Sequence, residues 1–115
     1  MTAKGPSRGE IWLADLNPVR GHEQAGTRPC LVVSVDLFNQ SPAGLVIVLP
    51  VSTRGKGIRS HVCIDQPEAG IKETSYIKCE DVRSISTERL INRWGAVSSA
   101  TMATVEDHLR ILIGL

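Results

Sequence analysis

Short apolar runs separated by Gly, Pro, Asn and Asp fill most of the chain and predict β-strands. The runs Cys30–Val33 and Leu45–Val51 are almost uninterrupted, which is typical of buried strands. Pro50 lies inside the second run and predicts an edge position or a bulge, because proline donates no backbone hydrogen bond. The five predicted strands are Gly9–Leu16, Arg28–Val35, Leu45–Val51, His61–Ile64 and Ser75–Cys79, the last passing into Glu80–Ile85.

The end of the chain changes to a helical period. Ser98 or Ser99 can cap a helix over Ser98–Leu115. The preceding segment, Thr87–Arg93, is predicted to be a shorter helix or a turn. The chain is therefore predicted to be one domain over residues 1–115, a small β-barrel closed by a C-terminal α-helix. One face of that helix carries its apolar residues, which are Met102, Val105, Leu109, Leu112 and Ile113.

Composition narrows the class of protein. The chain has 115 residues, 42% of them hydrophobic, and no apolar run of the ~20 residues that a membrane span needs. Residues 1–8 are polar, so we expect them to be flexible and the protein to be cytoplasmic. The net charge of +1 argues against wrapping long duplex DNA but allows a local cationic patch.

Cysteine and histidine usage gives no sign of a metal site or another cofactor. Cys30, Cys63 and Cys79 are far apart, and no pair has the spacing of a zinc motif. Each cysteine has Val, Leu or Ile nearby, so we expect all three to be buried as small hydrophobic residues. A cysteine nucleophile is the sharper alternative, but no neighbouring residue supports it.

The first polar segment with chemical potential is the connection Asn17–Thr27, which is longer than a hairpin loop of ~2–5 residues. It carries His22, Glu23 and Gln24 between two glycines, and composition leaves a mobile surface turn and a functional lid equally open. Arg28 follows immediately and precedes Pro29. Because proline restricts the residue before it to extended conformations, the Arg28 guanidinium is well placed to bind a phosphate.

Two further polar segments follow later strands. Ser52 and Thr53 end one strand and lead into a loop with three cations, which is either a capped soluble turn or a phosphate-binding rim. In the other segment, alternation predicts that Lys78 and Glu80 share a strand face. They form either a surface ion pair or an acid–base pair. The spacing of these residues does not match a phosphate-binding Walker loop, so nucleotide triphosphate hydrolysis is not expected.

Together these segments resemble the MazF/PemK-type toxins. The family pattern begins G-[DE]-[IV]-[WY]-x₃-[FL]-x-P and continues G-x-E-Q-x-G-x-R-P, and the segments Gly9–Pro18 and Gly21–Pro29 match it at every fixed position. Pro50–Thr53 resembles the family's third motif, P-[ILV]-[ST], and Tyr76–Ile85 its strand-and-turn motif. The resemblance covers the chain from Gly9 onward and includes the C-terminal helix.

The resemblance implies an SH3-like barrel of the plasmid-maintenance toxin type that forms a two-fold homodimer. It also implies a sequence-specific, metal-independent endoribonuclease. Such an enzyme cuts single-stranded RNA, with mRNA, rRNA or tRNA as possible targets, to a 2′,3′-cyclic phosphate and a 5′-hydroxyl, and thereby inhibits translation and growth. The implied partner is a cognate antitoxin whose acidic, disordered tail fills the RNA groove.

The same correspondence gives Arg28 and Ser52 the principal catalytic positions. The general base is left open between Glu23, Glu80 with Lys78, and His22, with Glu23 preferred as a residue that orders the loop or contacts substrate. The family usually has Thr at position 52, and Asp81 is an additional carboxylate that could alter base preference. We expect the remaining polar residues of these segments to bind RNA: His22, Gln24, Thr27, Thr53, Arg54, Lys56, Arg59 and Arg83.

Two other functions are compatible with this sequence. The same fold hosts a gyrase-poisoning toxin, although Arg28 and Ser52 favour the ribonuclease. A non-catalytic RNA-binding SH3-like module would need an aromatic groove, and the aromatic content is only 3%. For a dimer, the helix face Met102–Ile113 and the Trp94 region offer apolar surface, although packing within one subunit explains them equally well.

Overall fold

Seven strands and one long helix make up the computed structural model, which describes residues 5–115. Short 3₁₀ turns at Cys79–Asp81 and Thr87–Arg89 interrupt the later strands. The elements in chain order are β1 (Glu10–Asp15), β2 (Thr27–Val32), α1 (Asp36–Asn39), β3 (Leu45–Ser52), β4 (His61–Ile64), β5 (Ser75–Lys78), β6 (Arg83–Ser86), β7 (Leu90–Ala96) and α2 (Ser99–Ile113).

All of the strand pairs are antiparallel, and the order across the sheet is β4-β5-β3-β2-β1-β7, with β6 also paired to β3. The predicted class, mainly β with a C-terminal α-helix, is therefore confirmed. The predicted closed barrel is not seen, because β4 and β7, at the two ends of this order, are not hydrogen-bonded to each other.

Two apolar clusters, one on each side of the central strands, hold the sheet. Leu31 of β2 and Leu49 of β3 belong to the cluster that α2 covers, whereas Val32 and Val48 belong to the other cluster. Because alternate residues of a strand point to opposite faces, both clusters draw on both strands. Burial on two faces explains why these runs do not alternate in the sequence.

The prediction that Pro50 marks an edge strand is wrong. Strand β3 lies inside the sheet, and Pro50 is paired with Cys30 of β2. On its other side β3 pairs with β6 up to Val48 and with β5 from Val51. Proline is tolerated here because Pro50 lies where β3 changes partner, and no ladder on that side requires its missing N–H.

The prediction of a helix or turn over Thr87–Arg93 is also wrong beyond its first residues. Thr87–Arg89 is a 3₁₀ turn, but Leu90–Ala96 is strand β7, paired with β1. Most of β7 is exposed, and its register with β1 shifts at two places. An exposed, irregular edge strand gives no alternating signal in the sequence.

Helix α2 begins at the predicted cap, since the Ser98 side chain accepts a hydrogen bond from the Thr101 amide. Val105 is fully buried, and Met102 and Leu109 pack against the same cluster. In the last turn of the same face, Leu112 and Ile113 are 45% and 56% exposed. None of the helices in the described part of the chain has the length and apolar content needed to cross a membrane.

Two smaller expectations also differ from the structure. Of the segment expected to be flexible, residues 1–4 lie outside the described residues, whereas Arg8 donates to the Val33 carbonyl and to Glu106.

Cys30 and Cys79 are buried, and desolvation raises the pKa of their thiols to about 12 and about 11, so neither is a nucleophile. Cys63 is exposed because it lies on the outer face of edge strand β4, and its expected burial is wrong.

Candidate active site

Strand register brings Arg28 and Ser52 together. The pairing of β2 with β3 ends at Cys30 and Pro50, and Arg28 and Ser52 lie two residues beyond this pair, where both line the same two cavities. On the other side of β3, Ser52 faces Tyr76 of β5. Two motifs that are distant in the sequence therefore meet at one end of the central strands.

A groove of about 640 Å³ opens at this point. Its charged side chains are Arg28, Arg54 and Lys78 as cations and Glu80 as a carboxylate. Two hydroxyl groups, from Ser52 and Thr53, lie among them, so the groove suits an anionic ligand with acceptor oxygens. The complete lining is Gln24, Arg28, Ser52, Thr53, Arg54, Gly55, Ile58, His61, Lys78 and Glu80.

Local hydrogen bonds orient the two central side chains. The Arg28 guanidinium donates through Nε to the Ala25 carbonyl at 3.2 Å, which leaves its terminal nitrogens for a ligand. Ser52 is 8% exposed as a residue, and its hydroxyl accepts a hydrogen bond from the Arg54 amide at 3.1 Å. That hydroxyl still has a proton to donate, which a phosphate oxygen can accept.

The loop that precedes Arg28 is fastened to the far side of the groove through Gln24. The Gln24 amide donates to Asp81 Oδ2 at 2.8 Å, and its carbonyl accepts from Arg83 Nη2 at 2.8 Å. Its side-chain oxygen accepts from Lys78 Nζ at 3.0 Å. These hydrogen bonds anchor the loop at Gln24 and argue against a mobile surface turn there, whereas its role as a lid stays a prediction.

Glu80 faces a histidine that the sequence analysis did not single out. His61 Nε2 lies 2.8 Å from Glu80 Oε2, and Ser60 Oγ donates to Oε1 at 2.7 Å. Partial burial of Glu80 raises its pKa, but these hydrogen bonds outweigh it, so the pKa of Glu80 lies below its ordinary value. Glu80 is therefore an ionised acceptor on the groove wall at neutral pH.

The predicted pairing of Lys78 with Glu80 on one strand face is wrong. Strand β5 ends at Lys78, and Cys79–Asp81 forms a 3₁₀ turn, so the alternation that the prediction assumed does not continue. Glu80 bonds to Ser60 and His61, and across residues 5–115 no ion pair joins it to Lys78. Both side chains nevertheless line the groove.

Gly55 shows why the loop after Ser52 needs glycine. Its φ is +129°, and a Cβ at this position would lie 2.4 Å from His61 Nδ1. The absence of a side chain lets the Gly55 carbonyl lie 3.2 Å from the same nitrogen. Both ring nitrogens of His61 therefore have a hydrogen-bonding partner. The one sequence feature that could have pointed to His61 as a site residue is its position at the start of a strand, directly after a glycine-rich loop.

Seven of the thirteen predicted site residues line the groove and six do not. Glu23 is exposed and accepts the Arg20 amide at 2.6 Å, which fits a loop-ordering residue. Arg83 is largely buried in its pair with Asp81. His22, Thr27 and Lys56 are exposed outside the groove, and Arg59 lines a separate cavity beside α2. Their RNA contacts stay predictions.

We expect Asp81→Ala to lower the free energy of unfolding by about 1–3 kcal/mol, because the change removes the acceptor of the half-buried Gln24 amide and one of the two acceptors of Arg83 Nη2. Asp107→Ala is the matched control, since Asp107 pairs with Arg110 on the exposed surface of α2 and should matter by at most ~0.5 kcal/mol. Denaturant unfolding measures both. Equal losses in the two variants would contradict the anchoring role of Asp81.

Fold and site together define a small antiparallel β-protein whose cationic, hydroxyl-bearing groove can bind a phosphodiester. A family model described as PemK-like, MazF-like toxin of type II toxin–antitoxin system matches residues 7–113. The chain belongs to this family.

Relatives and solved structures support the assignment over nearly the whole length. The chain is 35% identical over 113 residues to endoribonuclease MazF9 of Mycobacterium tuberculosis, covering 94% of this chain and 96% of that protein. It is 34% identical over 109 residues to endoribonuclease EndoA of Bacillus subtilis, covering 94% of each.

Among solved structures, MazF of Deinococcus radiodurans superimposes with a TM-score of 0.86 at 27% identity, covering 98% of this chain and all of that one. The MazE–MazF structure from the same organism has a TM-score of 0.79 at 27% identity, covering 98% of this chain and 99% of that one.

Proposed function

We propose that this chain, a MazF-type endoribonuclease toxin of a type II toxin–antitoxin system, cleaves single-stranded RNA at specific sequences without a metal ion. The products are a 2′,3′-cyclic phosphate and a 5′-hydroxyl, and the cellular effect is inhibited translation in the cytoplasm. The observation that carries the proposal is the meeting of Arg28 and Ser52 in a groove whose charged lining is mainly cationic.

The reaction is an internal transfer at phosphorus. The ribose 2′-oxygen loses its proton and bonds to phosphorus, the bond from phosphorus to the 5′-oxygen breaks, and that oxygen takes up a proton. Arg28 stabilises the charge that develops on the phosphate oxygens, because its planar guanidinium can donate two parallel hydrogen bonds. Ser52 donates to the same phosphate and fixes its position.

For the general base we propose Glu80 over Glu23 and His22. Glu80 lines the groove and is ionised at neutral pH, so its carboxylate can accept the 2′-hydroxyl proton, although its lowered pKa makes it a weaker base than a free glutamate. His61, hydrogen-bonded to it, fixes the orientation of the carboxylate. Glu23 and His22 are exposed outside the groove, which supports a role for them in loop order or RNA contact.

Partners follow from the same surfaces. An acidic antitoxin tail would be attracted to the cations of the groove, and the relative from Deinococcus radiodurans was solved bound to MazE. For the homodimer, Met102, Val105 and Leu109 are used inside the subunit. Apolar side chains near the end of α2 and in the loop before β4 remain exposed and supply the proposed interface: Ile58, Ile111, Leu112 and Leu115.

The test is incubation of the purified protein with a long unstructured RNA in EDTA. We expect cuts at a short recurring sequence, 5′-hydroxyl ends that polynucleotide kinase can label, and cyclic phosphate at the 3′ ends. A parallel DNA gyrase supercoiling assay should show no inhibition. Intact RNA together with poisoned gyrase would favour the gyrase-directed alternative, and RNA binding without cleavage would favour a non-catalytic module.

A further inference from the structure

A second cavity, of about 300 Å³, adjoins the groove and has an aromatic wall. It shares Arg28, Ser52 and Thr53 with the groove, so a phosphate held by these residues lies at the boundary between the two. Trp94 of β7 lines the new cavity and is 37% exposed. The sequence predicted for Trp94 either dimer surface or packing within one subunit, and not a place in a cavity.

The backbone around Trp94 is fixed by unusually close packing against a tight turn. Glu68 and Ile71 exchange two backbone hydrogen bonds, of 3.2 and 2.8 Å, around Ala69 and Gly70, whose φ angles are 53° and 84°. A Cβ on Gly70 would lie 2.8 Å from Trp94 Cβ. Only glycine both adopts this conformation and permits the contact.

The same turn is tied to its neighbours on two further sides. A Cβ on Gly95 would lie 2.8 Å from Ala69 Cα, so β7 and the turn interlock directly after Trp94. The Glu68 carboxylate accepts from the Ser98 amide and from Thr101 Oγ1, both at 3.0 Å, which joins the turn to the start of α2. The backbone that carries the Trp94 indole is therefore rigid, so little conformational entropy is lost when a ligand binds.

The mouth of the cavity is polar. Lys72 and Glu73, both exposed, line it beside the aromatic wall. An ammonium group donates to carbonyl or ring-nitrogen acceptors of a base, whereas a carboxylate accepts from its amino or imino groups. A flat aromatic wall with a donor and an acceptor at the rim is suited to an unpaired nucleobase.

We propose that this cavity binds one nucleobase next to the cleaved phosphodiester, which stacks on Trp94 and is read at its edge by Lys72 and Glu73. The proposal rests on the proposed ribonuclease function and adds a specificity-determining residue to it. Because the base enters beside Arg28 and Ser52, its nucleotide must directly flank the scissile bond.

The first experiment maps product 5′ ends from a long RNA for the wild type, Trp94→Ala and Trp94→Phe. Loss of stacking should raise KM by about 10- to 100-fold and relax the base preference at one position beside the cut. Phe keeps an aromatic face and should stay within ~3-fold of the wild type. Ile91→Ala is the control, since Ile91 is an exposed β7 side chain outside this cavity and should change nothing.

The second experiment detects binding without cleavage. In a Trp12→Phe variant Trp94 is the sole tryptophan, and a short single-stranded RNA with 2′-O-methyl riboses should quench its fluorescence. Quenching in a protein that cleaves no RNA would support the cavity while contradicting the proposed function. Absence of quenching, or unchanged sequence preference in a folded Trp94→Ala variant that still cleaves, would overturn the proposal.

Discussion

Arg28→Ala is expected to lower kcat for cleavage of single-stranded RNA by at least ~10²–10³-fold, the loss typical of removing one donor to the charge that develops in a transition state. The fold should survive, because Arg28 is only half-buried and its side chain donates a hydrogen bond to the Ala25 carbonyl in the adjoining loop. A fluorogenic RNA assay in EDTA measures the rate, and thermal unfolding by circular dichroism checks the fold.

Two variants test whether activity needs the guanidinium group of Arg28 or only a positive charge. Arg28→Lys keeps a cation but loses the paired donors, so it should recover only part of the activity. Arg110→Ala removes a cation of the same type from the exposed surface of α2 and should leave kcat unchanged. Cleavage by Arg28→Ala within ~3-fold of the wild type, at the same RNA sites, would disprove the assignment.

The parts of the fold that the sequence predicted well are those with a clear local pattern, either a short apolar run or a helical period. Strand β4 matches its prediction at both ends, and α2 begins at the predicted cap Ser98. Strand β7 could not be found in the same way, because it has few buried side chains and takes its place only by pairing with β1. Its assignment depends on tertiary contacts that no local pattern encodes.

The site residues that belong to a sequence motif could be predicted. Those that reach the site only through the three-dimensional fold could not. Arg28 and Ser52 stand in recognisable segments, and strand register then brings them together. His61 and Trp94 lie outside these motifs. His61 contacts Glu80 because a 3₁₀ turn follows the end of β5, and Trp94 packs against Gly70. Such contacts follow from three-dimensional packing and leave no spacing in the chain.

Ser52→Ala is expected to lower kcat by about 10²-fold, because it removes the hydroxyl that we propose as a donor to the phosphate. It also removes the acceptor of the hydrogen bond from the Arg54 amide to Ser52 Oγ, 3.1 Å long, which holds the start of the cationic loop against the end of β3. Single-turnover cleavage of a fluorogenic RNA separates the chemical step from binding. A rise in KM with kcat unchanged would contradict a role of the hydroxyl in the reaction.

Two further variants, Ser52→Thr and Thr53→Ala, test which of the two neighbouring hydroxyl groups the reaction needs. Thr keeps the hydroxyl and is stiffer at χ1, and it is the residue usual in the family, so Ser52→Thr should cleave at least as fast as the wild type. Thr53→Ala removes the exposed hydroxyl next along the groove and should cost no more than ~3-fold. If Thr53→Ala lost more activity than Ser52→Ala, the phosphate-binding hydroxyl would belong to Thr53.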